Sequence, residues 1–409
     1  MEVGKMSSEK NFTERLRTWA VLTVFPVVLL LFSVVDMLRP AKLYSSYENR
    51  KLQQKPELSV QAVRTGSYMK EYEDYVSDQI LGRNRYIAIK SATDRALGKK
   101  EINGVYLATD GTLIEKHTEE FSAQNIEKTL EGLQKLERLL QGKSRSFQVL
   151  LAPTADNVYS EKLPAYAEVF PEEALWRQFR DACGKNTVFP DVFSPLRSHA
   201  EEYIYYGTDH HWTTLGAFYA YQAWMQKMGA KAQPLEAYRR ETVYRDFYGT
   251  TYNKIHVKVP ADEVEVFHSK GEDSVQVNMD EGEKKAETLY FPEKAEEGFN
   301  RYDLFLSGNT FQIEITTGAH TGKTLLLVKD SFANCFVPFL TQDYDRIILI
   351  DYRYGKTAVG TLRSRYDVTD VMVLFNVDKF MKHTKLAKLA ETKKRKQTLK
   401  EFNPEDFLG

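Results

Sequence analysis

The chain has 409 residues, 42% apolar and 28% charged, with 56 Lys plus Arg against 57 Asp plus Glu. That composition excludes a disordered or collagen-like chain and a multi-span membrane protein, and the length suits roughly two to three domains, or one large domain with an insertion. Balanced charge offers no footing for a nucleic-acid partner, and two cysteines, Cys183 and Cys335, are too few for a disulfide framework or a thiolate metal site, leaving a single bridge open.

The first predicted element is Trp19–Val35, WAVLTVFPVVLLLFSVV, which carries no charge until Asp36. Its length is at the short end of a bilayer span, and Trp19 suits the interface. The residues at its end offer no small-residue cleavage pattern of a signal peptide, and a terminal, flanked, fully apolar run is poorly explained as a buried core helix. Lys5, Lys10, Arg15 and Arg17 precede the run while Arg39 and Lys42 follow it, so the positive-inside rule puts the N-terminus in the cytoplasm. The expectation is a cytoplasmic tail over 1–18, a transmembrane signal anchor over 19–38, and the remainder outside.

Residues 39–100 are expected to form a polar tether and a helical segment, in which Tyr68, Tyr72, Tyr75, Val76 and Gln79 share one helical face. Gly104–Ile114 (GVYLATDGTLI) reads as two short strands about Asp110-Gly111. An amphipathic helix follows, with Ser122 as N-cap, Ile126, Leu130, Leu133 and Leu140 as its stripe, and Gly142 at its stop. Phe147–Leu151 is a continuous apolar run, as expected of a strand buried on both faces. Glu172–Cys183 reads as a helix, Thr187–Phe189 as a short strand, and Leu215–Met228 as a helix apolar on most of its circumference and therefore buried. Residues 240–320 alternate polar and apolar around a charged run, Asp280–Glu287, and read as a β-rich insertion. Three strands, Leu325–Val328, Arg346–Ile350 and Val371–Phe375, resume the α/β pattern, with a short helix over Phe332–Leu340 after the first. The basic stretch Lys382–Lys400 reads as a solvated helix face. The main domain thus runs over 101–239 and 321–409.

Two strings carry chemistry. Gly207-Thr208-Asp209-His210-His211-Trp212-Thr213-Thr214 stands just before the buried helix, and an Asp with two His is a costly choice for packing. Either Asp209 orients His211 as a general base, or Asp209, His210 and His211 hold a metal, or they are plain polar groups of a helix N-terminus. The second string, Lys329-Asp330-Ser331-Phe332, directly follows an apolar strand and opens a helix, a junction that exposes a serine hydroxyl and aims backbone N–H groups at a developing oxyanion. The competing reading is a helix cap. Functional loops of an open α/β sheet gather outside the carboxyl ends of its strands, where Asp209, His211, Ser331, the loop Asp351–Tyr354 and Asn376 all fall. Arg353 and Asn376 are candidate donors to an anionic or carbonyl oxygen, with a surface ion pair for Arg353 and a turn role for Asn376 as the competing readings, and Tyr354, His210 and Trp212 are candidate substrate contacts.

The string TDHHWT with KDSF downstream resembles the DHHW protein family, which is similar to the SGNH-hydrolase-like alginate O-acetylation proteins AlgJ and AlgX. FQVLLAPTADNVYSEKLP, YYGTDHHWTTLGAFYAY, LLLVKDSFANCFVPFL and IILIDYRY carry the resemblance between Gly104 and Asn376. It implies an α/β fold of SGNH-hydrolase-like, circularly permuted type: a parallel sheet flanked by helices, with the Asp-x-His element before the serine. It implies Ser331 as nucleophile, His211 as base, Asp209 as its orienter and Asn376 in the asparagine-bearing block, although Lys329 stands where the usual Gly-Asp-Ser has glycine. It implies a membrane-anchored O-acetyltransferase or esterase of an exported or cell-surface polysaccharide, with a membrane-bound O-acyltransferase as acyl supplier and no cofactor or metal. Two other classes stay open: a non-catalytic glycan-binding or scaffold protein of a surface-polymer assembly, and a metal-dependent phosphoesterase built on Asp209, His210 and His211.

Overall fold

The computed structural model describes residues 2–45, 50–118, 121–269, 274–279, 282, 284–298, 300–355 and 359–382. The basic stretch expected beyond Lys382 and part of the charged run after Met279 lie outside them. The chain divides into two compact units, Met1–Thr93 and Asp94–Gly409.

In the first unit, helix α1 spans Glu2–Leu38 and contains Pro26. Its large apolar side chains from Trp19 to Val35 are exposed. Among the described residues no helix is long and apolar enough to cross a membrane. The signal anchor expected over 19–38 is therefore not supported. The uncharged run Trp19–Val35 has 17 residues, which at helical rise cover about 26 Å of a hydrocarbon layer about 30 Å thick. The expected tether holds a two-residue antiparallel pair, Tyr44–Ser45 with Arg50–Lys51, and a one-turn helix Val60–Thr65 capped by Ser59. The tyrosine-faced helix follows over Ser67–Gln79.

The second unit is built on an eight-stranded sheet. Its strands are β1 Ser146–Ala152, β2 Thr187–Val188, β3 Gln276–Met279, β4 Lys284–Ala286, β5 Gln312–Thr316, β6 Thr324–Lys329, β7 Arg346–Ile350 and β8 Asp370–Asn376. They lie in the order β4-β3-β5-β7-β6-β8-β1-β2. From β7 to β2 neighbours are parallel, whereas β4, β3 and β5 extend the sheet antiparallel. The expected parallel sheet is present in its central strands, and the segment expected as a β-rich insertion adds antiparallel strands that make the sheet mixed. The reason is local: β3 to β5 come from the alternating segment, whose half-polar pattern suits a sheet edge better than its centre. The central strands read as continuous apolar runs because both faces are covered; every residue of β8 is buried.

Helix α2, Ala123–Leu140, is capped by Ser122 Oγ, which accepts from the Asn125 N–H at 3.2 Å, and buries Leu133, Leu136 and Leu140. Helix α3, Thr214–Lys227, buries most of its circumference, and its Trp224 indole donates to Gln148 on β1 at 2.6 Å. The hairpin around Asp110-Gly111 forms between Val105–Leu107 and Leu113–Glu115, with Gly111 at φ 92°. A separate hairpin, Arg239–Phe247 with Asp262–His268, brackets helix α4, Thr250–Ile255. The helix expected over Phe332–Leu340 is broken into a 3-10 turn, Ser331–Ala333, and a short helix, Val337–Leu340. Pro338 explains the break: lacking an N–H, it fits only the first turn of a new helix. Both cysteines are free.

Candidate active site

Strand order brings the site together. β6 leads outward to β7, and the chain returns to β8 between β6 and β1, so the carboxyl ends of β6, β8 and β1 form a switch point of the sheet. Ser331 lies just beyond β6, Asn376 ends β8, and Pro153-Thr154 follows β1. The loop Gly207–Thr213 reaches this edge on its way into α3.

At the centre, His211 Nε2 lies 2.7 Å from Ser331 Oγ, across 120 residues of chain. His211 Nδ1 lies 2.5 Å from Asp209 Oδ1. An ionised carboxylate only accepts, so Nδ1 carries the proton and a neutral ring leaves Nε2 to accept from the serine hydroxyl. The three residues are 2%, 3% and 8% exposed, for Asp209, His211 and Ser331 respectively. Burial works to raise the Asp209 pKa, but the His210 and His211 rings and bonds from His211 and the Thr250 backbone override it and hold the carboxyl well below its ordinary range. Its second oxygen accepts from the Thr250 N–H and hydroxyl, each at 2.8 Å. Thr250 Oγ1 in turn accepts from His210 Nδ1 at 2.6 Å. Burial, then the neighbouring His211, lowers the His210 pKa to about 3.

The serine turn is fastened from below. Asp330 accepts from the Phe332 N–H at 2.9 Å and from the Asn376 N–H at 2.8 Å, tying the turn to the end of β8. Lys329 is fully buried, and its ammonium donates to Asn334 Oδ1 at 2.6 Å. Burial lowers its pKa to about 8, with Asp351 opposing. Asn376 donates one amide N–H to the Ala152 carbonyl at 3.2 Å and has a second to offer. The expected helix dipole behind Ser331 is reduced to one 3-10 turn, and the cap is Asp330.

Arg353 differs from its expected role. Its guanidinium donates to both oxygens of Asp351, at 2.8 and 2.5 Å, so the fork that would meet a substrate oxygen is already engaged. Trp212 is buried and gives its N–H to the Phe332 carbonyl at 2.9 Å, bracing the serine turn rather than facing a ligand. Tyr354 is 42% exposed beside Arg353.

Three residues at the site escaped sequence reasoning. Tyr302 stacks on His211 with ring centroids 3.9 Å apart and planes 10° apart, and its hydroxyl donates to the Ser331 carbonyl at 3.0 Å. Asp262 accepts from Gly207 N, Thr208 N, Thr208 Oγ1 and Tyr203 OH, clamping the loop that carries Asp209. Thr250 completes the shell around Asp209. All three come from the segment between α3 and β6, where the only local signal was Gly249 followed by two threonines.

The ligand atoms of Asp209, His210 and His211 lie within 4.8 Å of one another, close enough to share a cation. In the hydrogen-bonded arrangement, however, both nitrogens of His211 and Nδ1 of His210 already have partners, and these are protein groups.

A serine hydroxyl, an imidazole and a carboxylate in one hydrogen-bonded chain, at the carboxyl edge of an α/β sheet, form an arrangement chemically able to activate the serine as a nucleophile. Residues 135–350 match the model of the DHHW protein family, and the chain belongs to that family. Among solved structures it is similar to a DHHW family protein from Eubacterium siraeum, at 22% identity and a TM-score of 0.61, over 70% of this chain and 96% of that one. It is also similar to PatB1 from Bacillus cereus carrying a sulfonyl adduct, at 21% identity and a TM-score of 0.59, over 68% of this chain and 97% of that one. The O-acetyltransferase domain of Pseudomonas putida AlgJ aligns at 16% identity and a TM-score of 0.44, over 71% and 99% of the two chains. No curated protein matches this chain by sequence.

Proposed function

We propose that the protein is an SGNH-like O-acetyltransferase or esterase acting outside the cytoplasm on an exported or cell-surface polysaccharide. The observation that carries the reading is the 2.7 Å contact between His211 Nε2 and Ser331 Oγ, with Asp209 behind the ring. Ser331 Oγ attacks the carbonyl carbon of an acyl ester while Nε2 takes its proton, and Asp209 stabilises the imidazolium that forms. The developing oxyanion meets the Ser331 backbone N–H and the second amide N–H of Asn376. Collapse expels the alcohol, which receives the proton from His211 and leaves acetyl-Ser331. A sugar hydroxyl then gives its proton to His211 and attacks the acyl carbonyl, which restores Ser331. Water in place of the sugar makes the same site an esterase.

Permutation belongs to this reading, since the Asp-x-His element precedes the serine element in the chain. A membrane-bound O-acyltransferase is the proposed acyl supplier. Extracytoplasmic placement, with α1 held at a membrane, rests on the basic residues before Trp19 and on the exposed apolar girth of that helix.

The test is turnover of a chromogenic acetyl ester by the full chain against Ser331→Ala. The expected loss is at least ~10³-fold in kcat; equal rates remove Ser331 as nucleophile. The metal-dependent phosphoesterase reading makes the opposite demand, a stoichiometric ion that activates, and metal analysis of the active protein decides it.

A further inference from the structure

A cavity of about 280 Å³ has none of the Ser331, His211 and Asp209 side chains among its walls, and nothing in the acyl-transfer chemistry uses it. Glu115, His117, Phe121, Phe170, Glu172 and Asp378 are among its walls. Those walls belong to the elements that hold the site. On α4, Thr250 bonds Asp209, and one turn later Lys254, which also lines the cavity, pairs with Glu115. At the end of β8, Asn376 Oδ1 accepts from the Asp378 N–H at 3.2 Å. Beyond β1, Glu172 accepts from the Thr154 N–H at 2.8 Å.

The chemistry of the lining is specific. Each cation that lines it has a carboxylate partner: Lys254 with Glu115, Lys116 with Glu101 at 2.9 Å, Lys382 with Asp378 at 2.8 Å, and His117 with Asp156 at 3.4 Å. A charged ligand of either sign would have to break one of these pairs, since an anion competes with the carboxylates for the cations and a cation competes with the cations for the carboxylates. Hydroxyl groups avoid both penalties, because each can donate to a carboxylate and accept from an ammonium. Phe121 and Phe170 add an apolar corner, edge to face with centroids 5.0 Å apart, suited to the C–H face of a pyranose. The volume suits one unit of a polymer rather than a length of chain.

We infer that this cavity binds an uncharged sugar unit of the acceptor polysaccharide and selects against uronates and against sugars with a free, cationic amine. The inference rests on the acyl-transfer reading for its word acceptor, but not for the binding itself.

Calorimetric titration of the full chain tests it with uncharged trisaccharides (triacetylchitotriose, cellotriose and maltotriose), the cationic chitosan trimer and anionic trigalacturonate. At least one uncharged sugar is expected to bind about tenfold or more tighter than either charged one, a free-energy gap of about 1.4 kcal/mol. Phe121→Ala is expected to weaken that binding severalfold. Asp378→Asn, which removes the negative charge paired with Lys382, is expected to improve trigalacturonate binding severalfold, a gain that misfolding cannot imitate. The inference is overturned if none of the three uncharged sugars binds, if a charged trisaccharide binds as well as they do, or if Asp378→Asn stays folded without that gain. Labelling of Ser331 by phenylmethylsulfonyl fluoride, read as intact mass on the same sample, separates the two readings. A labelled serine with no uncharged sugar bound sinks the subsite alone. A bound uncharged sugar with an unreactive serine sinks the acyl transfer and leaves the cavity a glycan site.

Discussion

Asp209 shows how much one carboxylate is asked to do. It accepts from His211 through both backbone and ring, and from Thr250 through both backbone and hydroxyl, while 2% exposed. Asp209→Asn keeps the shape but can donate to Nδ1, which favours the tautomer with the proton on Nε2 and removes the base from Ser331. A fall in kcat on the order of 10⁴, with little change in KM, is expected in steady-state ester hydrolysis. A second residue-scale consequence concerns acidity. Burial, then the neighbouring Asp156 carboxylate, raises the Glu172 pKa to about 8. His117 moves the same way: burial works to lower its pKa, but the bond and charge of Asp156 override this and raise it to about 9. For a carboxyl raised in the folded state, the stabilising contribution is complete below the unfolded pKa, about 4.3, and is lost as pH rises through about 8. For His117 it is complete below about 6.5 and lost as pH rises through about 9. Tm should therefore fall between mildly acidic and pH 9 buffers, and Glu172→Gln, which cannot ionise, should flatten the fall in thermal scans.

At the scale of elements, the site depends on how closely α4 approaches the DHHW loop. A Cβ placed on Gly249 would lie 2.3 Å from Asp209 Cβ and 2.4 Å from its Oδ2, a clash with the carboxylate that orients His211. Gly249→Ala must push Asp209 or α4 aside. Displacement of the order of an ångström is expected to cut kcat about 10²-fold, with the far-UV circular dichroism spectrum unchanged. The strands were readable because parallel strands covered on both faces must be apolar throughout, and β1, β6, β7 and β8 fall where the apolar runs predicted them. Helices α2 and α3 were readable for a related reason, a stripe in one and full burial in the other. The antiparallel extension was not. β3 and β4 are short and partly exposed, and the pairing of β3 with β5 is decided across a long connection.

For the whole molecule, the two ends make different demands. The second unit has a buried core and the candidate site, whereas α1 exposes an apolar girth that water does not favour. Under the proposed extracytoplasmic placement, protease added to cells stripped of their outer envelope is expected to digest residues 94–409. Protection there, with digestion only after the cells are lysed, would place the second unit in the cytoplasm and remove an exported polysaccharide as substrate.

Read by itself, the sequence determined the kinds of groups available: an Asp-His-His string at a loop–helix junction, a serine just after an apolar strand, and the strands that carry them. These features are local, set by hydrophobic period and by turn chemistry. Only the tertiary structure decided which groups meet. Placing β8 between β6 and β1 gathers three carboxyl ends into one cleft, where His211 reaches Ser331, while Arg353 turns back onto Asp351. Tyr302 against His211 and Asp262 under Thr208 have no signature in their own neighbourhoods, because stacking and clamping across the fold depend on strand order rather than on adjacent residues.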